Sequence, residues 1–191
     1  MLPSGIGEND SLSNTPLGDS GLAGIRDRLA ALTVIPAMLE FCDFIVAGLG
    51  GRMLPDYETI DLMAVPRLAP HIFVHDYRAG IDKGMLVKFS GTAIDEHYGK
   101  VLQGRYIEEF YTGDDGADRY FPLHRRAIAE RRPFFARRTI VYDVGTPKER
   151  YKLSSALYFP CSSDGRTVNY AIGMSFYEAV RDDTEALYLI L

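Results

Sequence analysis

Three long segments rich in β-branched and aromatic residues lie towards the end of the sequence, and they constrain the fold most strongly. They cover residues 134–143, 149–160 and 167–177, and turn-forming residues at 145–147 and 162–165 separate them. Such segments are typical of strands, and short turns between them favour pairing of each strand with the next. The sequence therefore predicts an antiparallel meander of three strands.

Two shorter strand segments come earlier, at residues 71–77 and 85–90, with a turn-prone stretch between them. This pattern predicts a hairpin. Between the hairpin and the meander we expect a short helix at 92–99 and a longer helix at 118–132, with His124 on the inner face of the longer one. The order of elements predicts an α+β fold, in which helices cover one face of a five-stranded antiparallel sheet.

The N-terminal part of the sequence divides into two segments before the main domain. Residues 1–24 are rich in Gly, Ser, Asn and Asp, a composition that predicts a flexible tail. Residues 25–50 carry apolar residues at three- and four-residue intervals, as an amphipathic helix does, and Pro36 is expected to kink or split this helix. The expected domain covers residues 51–180, and residues 181–191 are expected to form a C-terminal tail or short helix.

The predicted N-terminal helix has apolar residues on two sides. One sheet face covers one side only, so the other side is expected to meet the same surface of a second copy of the chain. This arrangement predicts a two-fold homodimer through the N-terminal helix. The alternative is that Pro36 lets the helix bend around the domain, which buries both sides within one chain. The two sides consist of Ile25, Leu29, Leu32 and Leu39, and of Val34, Met38, Phe41 and Ile45.

Charge and composition argue against several classes of function. The 191 residues include 21 Lys and Arg against 26 Asp and Glu, a net charge of −5, so no long-range attraction to nucleic acid or anionic lipid is expected. No apolar run approaches the ~20 residues that span a bilayer, and no secretory leader is visible. With two cysteines and four histidines, neither a disulfide nor a metal site is expected. We therefore expect a cytoplasmic protein.

Several short motifs follow one another in an order that is informative as a set. They are Gly50-Gly-Arg-Met-Leu-Pro55, Ile60-Asp61, Phe89-Ser-Gly-Thr-Ala-Ile94, Leu102-Gln-Gly104 and Leu157-Tyr-Phe-Pro160. In this order the chain resembles a bacterial family of stand-alone PAS-like domains over about residues 38–178. The resemblance implies a sheet in the strand order 2-1-5-4-3, crossed by the longer helix. It also implies a sensory module that binds a small molecule and signals to a protein partner through a flanking helix.

The expected ligand pocket lies between the inner sheet face and the short helices. An aromatic lining with few polar groups suits a small apolar or heterocyclic ligand, although its identity is unknown. The favoured interpretation of His124 is a core histidine whose hydrogen bonds are made within the protein. Contact with a small ligand comes second, and haem ligation comes last because no motif supports it. The expected lining consists of Phe89, Tyr98, Phe110, His124, Ile128 and Leu157.

A flavin photosensor of the LOV type is similar in outline, and Leu102-Gln-Gly104 matches part of its signature. However, residues 98–101 contain no thiol, and Cys161 is expected at a strand end across the domain. A covalent flavin adduct therefore has no nucleophile and is excluded.

Clusters of basic residues offer a second candidate site. Arginine pairs could contact an anion or an acidic partner, but a solvated surface is the favoured interpretation, because acidic residues are plentiful. His71 and His75 would lie ~13 Å apart on a strand that rises ~3.3 Å per residue, too far to share a metal, and are expected at the surface or an edge. The arginines concerned are Arg125, Arg126, Arg131 and Arg132.

The motifs of the common enzyme classes are absent from the sequence. It has no nucleophile elbow, no phosphate-binding loop, no His-Glu-x-x-His and no Cys-x-x-Cys. We therefore expect no catalytic residues, and we interpret the chain as a module that acts by binding. Two alternatives remain: a protein-interaction adaptor whose own side chains fill the pocket, and an enzyme with an unfamiliar site.

Overall fold

A computed structural model describes residues 23–110, 117–141, 151–180 and 185–191. Most of the predicted N-terminal tail therefore lies outside the described residues. No helix in the described ranges is long and apolar enough to cross a bilayer. The main helices are α1 (Ala23–Leu32), α2 (Pro36–Ala47), α3 (Thr92–Tyr98) and α4 (Ala117–Glu130). The strands are β1 (Ile72–Asp76), β2 (Leu86–Ser90), β3 (Phe134–Val141), β4 (Tyr151–Cys161), β5 (Tyr170–Val180) and β6 (Leu187–Ile190).

The six strands form one antiparallel sheet in the order β2-β1-β5-β4-β3-β6. The α+β class and the predicted order of the first five strands are confirmed. The expectation of a tail or short helix at 181–191 is wrong for β6, which pairs with β3 from Phe134↔Ile190 to Arg137↔Leu187. A run of four residues is too short for its periodicity to separate a strand from a helix.

The helices α3 and α4 cover one face of the sheet, as predicted, and the N-terminal flanking helices α1 and α2 cover the other. We call the surface under α1 and α2 face A; it carries Ile72, Val74, Phe135, Leu157 and Ile172. We call the surface under α3 and α4 face B; it carries Phe73, Phe134, Ala136, Tyr158 and Ala171. Because neighbouring strand residues alternate between the faces and both sets are apolar, each face needs its own cover.

The N-terminal helix is split at Pro36, as the sequence predicts. Pro36 is the first residue of α2, and Ile35 before it has an extended backbone, the conformation that a following proline favours. The two helices pack on face A and bury Leu29, Met38 and Phe41 within one chain. Of the two apolar sides, only Val34 is strongly exposed, at 96%. The alternative to the dimer therefore accounts for this apolar surface, and the homodimer itself stays a prediction.

Candidate functional site

A cavity lies on face B, between the sheet and the segment that contains α3. The space open to a water-sized molecule is about 30 Å³. By the usual measure, this volume holds one or two waters. Residues from four strands and three helical segments form the wall: Phe73, His75, Val87, Ser90, Ile94, Tyr98, Leu102, Ile107, Tyr120, Ser154, Ser175 and Tyr177.

The position of α3 against the sheet depends on a close backbone approach at Gly91. A Cβ on Gly91 would lie 2.3 Å from the carbonyl oxygens of Ala69 and Pro70, so only glycine fits there. Gly91 is also the N-cap residue of α3 and follows Ser90 at the end of β2. This junction brings α3 directly over the part of face B where Ser90 lies.

Ser90 contributes an unsatisfied hydroxyl to the cavity wall. Its Oγ is buried and has no hydrogen-bond partner. Leaving a buried donor or acceptor without a partner costs roughly 1–3 kcal/mol, so such groups are rare in native structures. The hydroxyl is therefore a place where a bound molecule would gain a hydrogen bond.

His75 is the histidine of the cavity wall, and the expectation that it lies at the surface or an edge is wrong. It is 3% exposed, because β1 lies between β2 and β5 inside the sheet. Burial, together with the neighbouring His124, holds the pKa of His75 well below its usual range. The Tyr77 hydroxyl lies 3.4 Å from Nδ1 of His75 and 2.7 Å from the Tyr158 hydroxyl. The imidazole is thus neutral and ends a chain of buried polar groups.

His124 lies behind this wall and is fully buried. Its ring centroid is 4.3 Å from that of Tyr120 and 4.7 Å from those of Phe134 and Tyr158. Nδ1 lies 3.0 Å from the Tyr120 carbonyl oxygen and must donate to it, which leaves Nε2 as an acceptor. Nε2 has no partner. Burial lowers the pKa of His124 to about 3, so the ring is neutral.

The six residues predicted to line one pocket are divided between the two faces. Tyr98 lines the cavity. Phe110 and Ile128 pack against the core on face B, which contains the aromatic neighbours of His124. Phe89 and Leu157 belong to the core on face A. A strand residue changes face with every step along the chain, so the choice of Phe89 rather than Ser90 moved the prediction to the wrong side.

The polar residues of the cavity were missed for the same reason. Sequence alternation groups Phe73 with His75, and β-sheet register places Ser90 beside Phe73. Ser154 of β4 and Ser175 of β5 join them on face B. Ser155, the next residue along β4, lies on face A with Leu157. The alternation of strand residues between the two faces was the signal in the sequence for these polar residues. It identifies them only when the register of the paired strands is also known.

The predicted basic site is dispersed over the end of α4 and the residues that follow. Arg126 pairs with Glu130 at 2.6 Å, and Nε of Arg132 donates to the backbone oxygen of Leu191 at 3.1 Å. Contact with an anion or partner stays a prediction. None of the four lines the cavity: Arg125, Arg126, Arg131 and Arg132.

Both thiols of the chain lie on the side of the sheet opposite the cavity. Cys42 and Cys161 are buried in the core on face A. Burial raises their pKa, to about 11 for Cys42 and about 12 for Cys161. Neither thiol can therefore supply a thiolate to a molecule in the cavity. Within the described residues, no group of three or more His, Cys, Asp or Glu could hold a metal ion.

Comparison with solved structures finds LOV domains. The LOV domain of the blue-light activated histidine kinase from Erythrobacter litoralis EL346 has a TM-score of 0.46 and 14% identity, over 60% of this chain and 100% of that chain. The Rhodobacter sphaeroides LOV protein has a TM-score of 0.45 and 12% identity, over 62% and 68%. The dark structure of the photoreceptor Aureochrome1 LOV gives 0.46 and 13%, over 64% and 83%.

No family model matches the chain, and no curated protein matches it. All three TM-scores are below 0.5, so the description of the fold depends on the chain's own strand order and packing.

Proposed function

We propose that this chain is a sensory module that binds a small molecule in the cavity on face B and signals to a protein partner. The observation that carries the proposal is the Ser90 hydroxyl, which is buried without a partner in the cavity wall. A ligand that hydrogen-bonds to this group would recover the cost of its burial. Cavities with an apolar body and a few convergent polar groups are typical ligand sites.

The same wall favours binding over catalysis. The Ser90 hydroxyl has no hydrogen bond to His75, so these two residues do not form a nucleophile and base pair. Burial raises the pKa of Tyr77 above its usual range, which keeps its hydroxyl protonated. Both thiols lie on face A. The cavity wall therefore supplies hydrogen-bonding groups, but no activated nucleophile.

Strand β1 offers a route from the cavity to the N-terminal helices. Phe73 and His75 line the cavity, while Ile72 and Val74, their neighbours along the strand, pack in the core beneath α1 and α2. A ligand that shifts β1 would therefore change the packing of these helices. We propose α1 and α2 as the elements through which a partner senses the bound state.

The proposal is tested by what the purified chain retains and binds. The denatured extract is examined by mass spectrometry, and a library of small molecules is then screened by thermal shift. We expect a retained molecule or a hit whose binding is weakened in Ser90→Ala. The matched control is Ser155→Ala, a buried serine on face A, which should bind normally. Absence of both a retained molecule and a hit would contradict the proposal.

An adaptor whose own side chains fill the pocket is the second candidate, and the cavity volume favours it. The open space of about 30 Å³ is far smaller than the ~300–1,000 Å³ of typical ligand pockets. An adaptor would show neither a retained molecule nor a screening hit, and substitutions at Ser90 would leave its partner binding unchanged.

A further inference from the structure

We infer that the cavity on face B selects a small uncharged molecule with a hydrogen-bonding group, and discriminates against charged molecules of the same shape. This inference rests on the proposed function and names the chemical class of the ligand. Three properties of the wall carry it: its charge, its hydrogen-bonding groups and its size.

The part of the wall that the structure describes has no formal charge. Its twelve residues include no Asp, Glu, Lys or Arg, and its histidine, His75, is held neutral by burial. An ion that enters such a cavity loses its hydration and finds no opposite charge, which is far more costly than burial of a neutral polar group. A neutral ligand avoids this cost.

One buried cation lies close to the wall and is the strongest argument against the inference. The Arg138 guanidinium is 4.7 Å from the ring centroid of Tyr120, which lines the cavity, and Arg138 itself does not line it. Arg138 is engaged with the Tyr120 ring face, a favourable contact for a buried guanidinium. If Arg138 nevertheless reached the ligand, anions would bind in preference to neutral molecules.

The polar groups of the wall suit an amide or an alcohol. Ser90, Ser154 and Ser175 supply hydroxyls, each of which can donate or accept a hydrogen bond. The Ser90 hydroxyl has no other partner. Val87, Ile94 and Leu102 form apolar surface beside them, which suits a short hydrocarbon portion.

The size of the cavity limits the ligand to a few heavy atoms unless side chains move. A space of about 30 Å³ is comparable to one or two waters. A fused heterocycle would have to displace side chains such as Tyr98 and Tyr177, whose rings are 6.2 Å apart at centroid distance. Acetamide has four heavy atoms, so we expect the cavity to accept it with a small movement of the side chains in the wall.

Acetamide, acetate and acetamidinium test the inference, because they share one planar shape and differ in charge. Each is titrated into the full chain, and the amide signals of β1, β2 and β5 are followed by NMR. We expect saturable shifts with acetamide and at least ~10-fold weaker binding of both ions, as an unpaired buried charge requires. Ser90→Ala should weaken acetamide binding about 5-fold, the usual net contribution of one hydrogen bond, and Ser155→Ala should leave it unchanged.

Four outcomes would overturn the inference. Acetate binding as tightly as acetamide would assign a role to Arg138 in anion recognition. Equal acetamide affinity in Ser90→Ala and the unaltered chain would remove the hydrogen-bonding argument. Failure of all three probes, with a larger molecule found in the denatured extract, would refute the size and charge arguments but leave the proposed function intact. Failure of the probes, the extract and the screen together would refute both.

Discussion

The ring of Phe73 lies against Gly173 of the neighbouring strand. A Cβ on Gly173 would be 2.2 Å from Cζ of Phe73 and 2.5 Å from the backbone oxygen of Leu157. The two residues are directly paired in the β1–β5 register, and Phe73 is part of the cavity wall. Only glycine leaves room for this ring, so the shape of the wall depends on the missing side chain of Gly173.

Gly173→Ala is therefore expected to destabilise the fold. The added methyl group must displace either the Phe73 ring or the β4 backbone, and overpacking of this kind costs about 1–3 kcal/mol. Urea unfolding measures the change. Gly48→Ala is the control, because Gly48 has φ −75° and its Cβ would meet no atom nearer than 3.5 Å. Similar effects of the two substitutions would contradict the prediction.

Acidification is expected to destabilise the chain through its buried histidines. Burial lowers the pKa of His124 to about 3 in the folded chain, whereas an unfolded histidine titrates near ~6.5. Between these values the unfolded chain binds a proton that the folded chain does not. The free energy of unfolding therefore falls as the pH falls, by up to about 1.4 kcal/mol per pH unit for His124. His75 shifts in the same direction and adds to this effect.

Urea unfolding at pH 7, 6, 5 and 4 measures this dependence, and His124→Phe isolates the contribution of His124. Below pH ~6.5 the free energy of unfolding of the variant should fall less steeply with decreasing pH, by the contribution of about one proton. This comparison uses the slope, so it holds even if the variant is less stable at neutral pH. An unchanged slope in His124→Phe would show that His124 is protonated in the folded chain.

Arg131 offers a stabilising substitution. It follows the last residue of α4 with φ 55°, a left-handed conformation that favours glycine at helix ends. Arg131→Gly should raise the free energy of unfolding by about 0.5–1 kcal/mol, even with loss of its surface hydrogen bond to the Arg166 carbonyl. Arg125→Gly, at an exposed position inside α4, should instead lower it by about 1 kcal/mol. Destabilisation by both substitutions would contradict the assignment of strain at Arg131.

The two thiols are expected to be unreactive in the folded chain. Cys42 and Cys161 are both buried, and burial raises their pKa to about 11 and about 12. At pH 8 few thiolates form, and a reagent has no access to them. Ellman's reagent should therefore detect almost no thiol in the native chain and both thiols after denaturation. Rapid native reaction of either cysteine would show that face A opens readily.

Most of the fold was predictable from the sequence. The split at Pro36 was predicted, whereas β6 and the location of His75 were not. Pro36 fixed the split between α1 and α2, because proline acts on its own backbone and on the residue before it. β6 was not predictable, because its four residues become a strand only by pairing with the edge of β3. The location of His75 was also missed, since a histidine in a strand is buried or exposed according to the neighbours of that strand.

The sequence by itself determined the order of helices and strands and the split at Pro36, since these depend on local backbone preferences and on the spacing of apolar residues. It also determined that alternate residues of each strand share a face. The tertiary structure decided which of the two sets meets which helices, and so placed Ser90 in the cavity and Phe89 in the opposite core. Both faces of the sheet are apolar, and a pattern of period two defines two sides without distinguishing them. Only the packing of α1 and α2 on one side, and of α3 and α4 on the other, makes that choice.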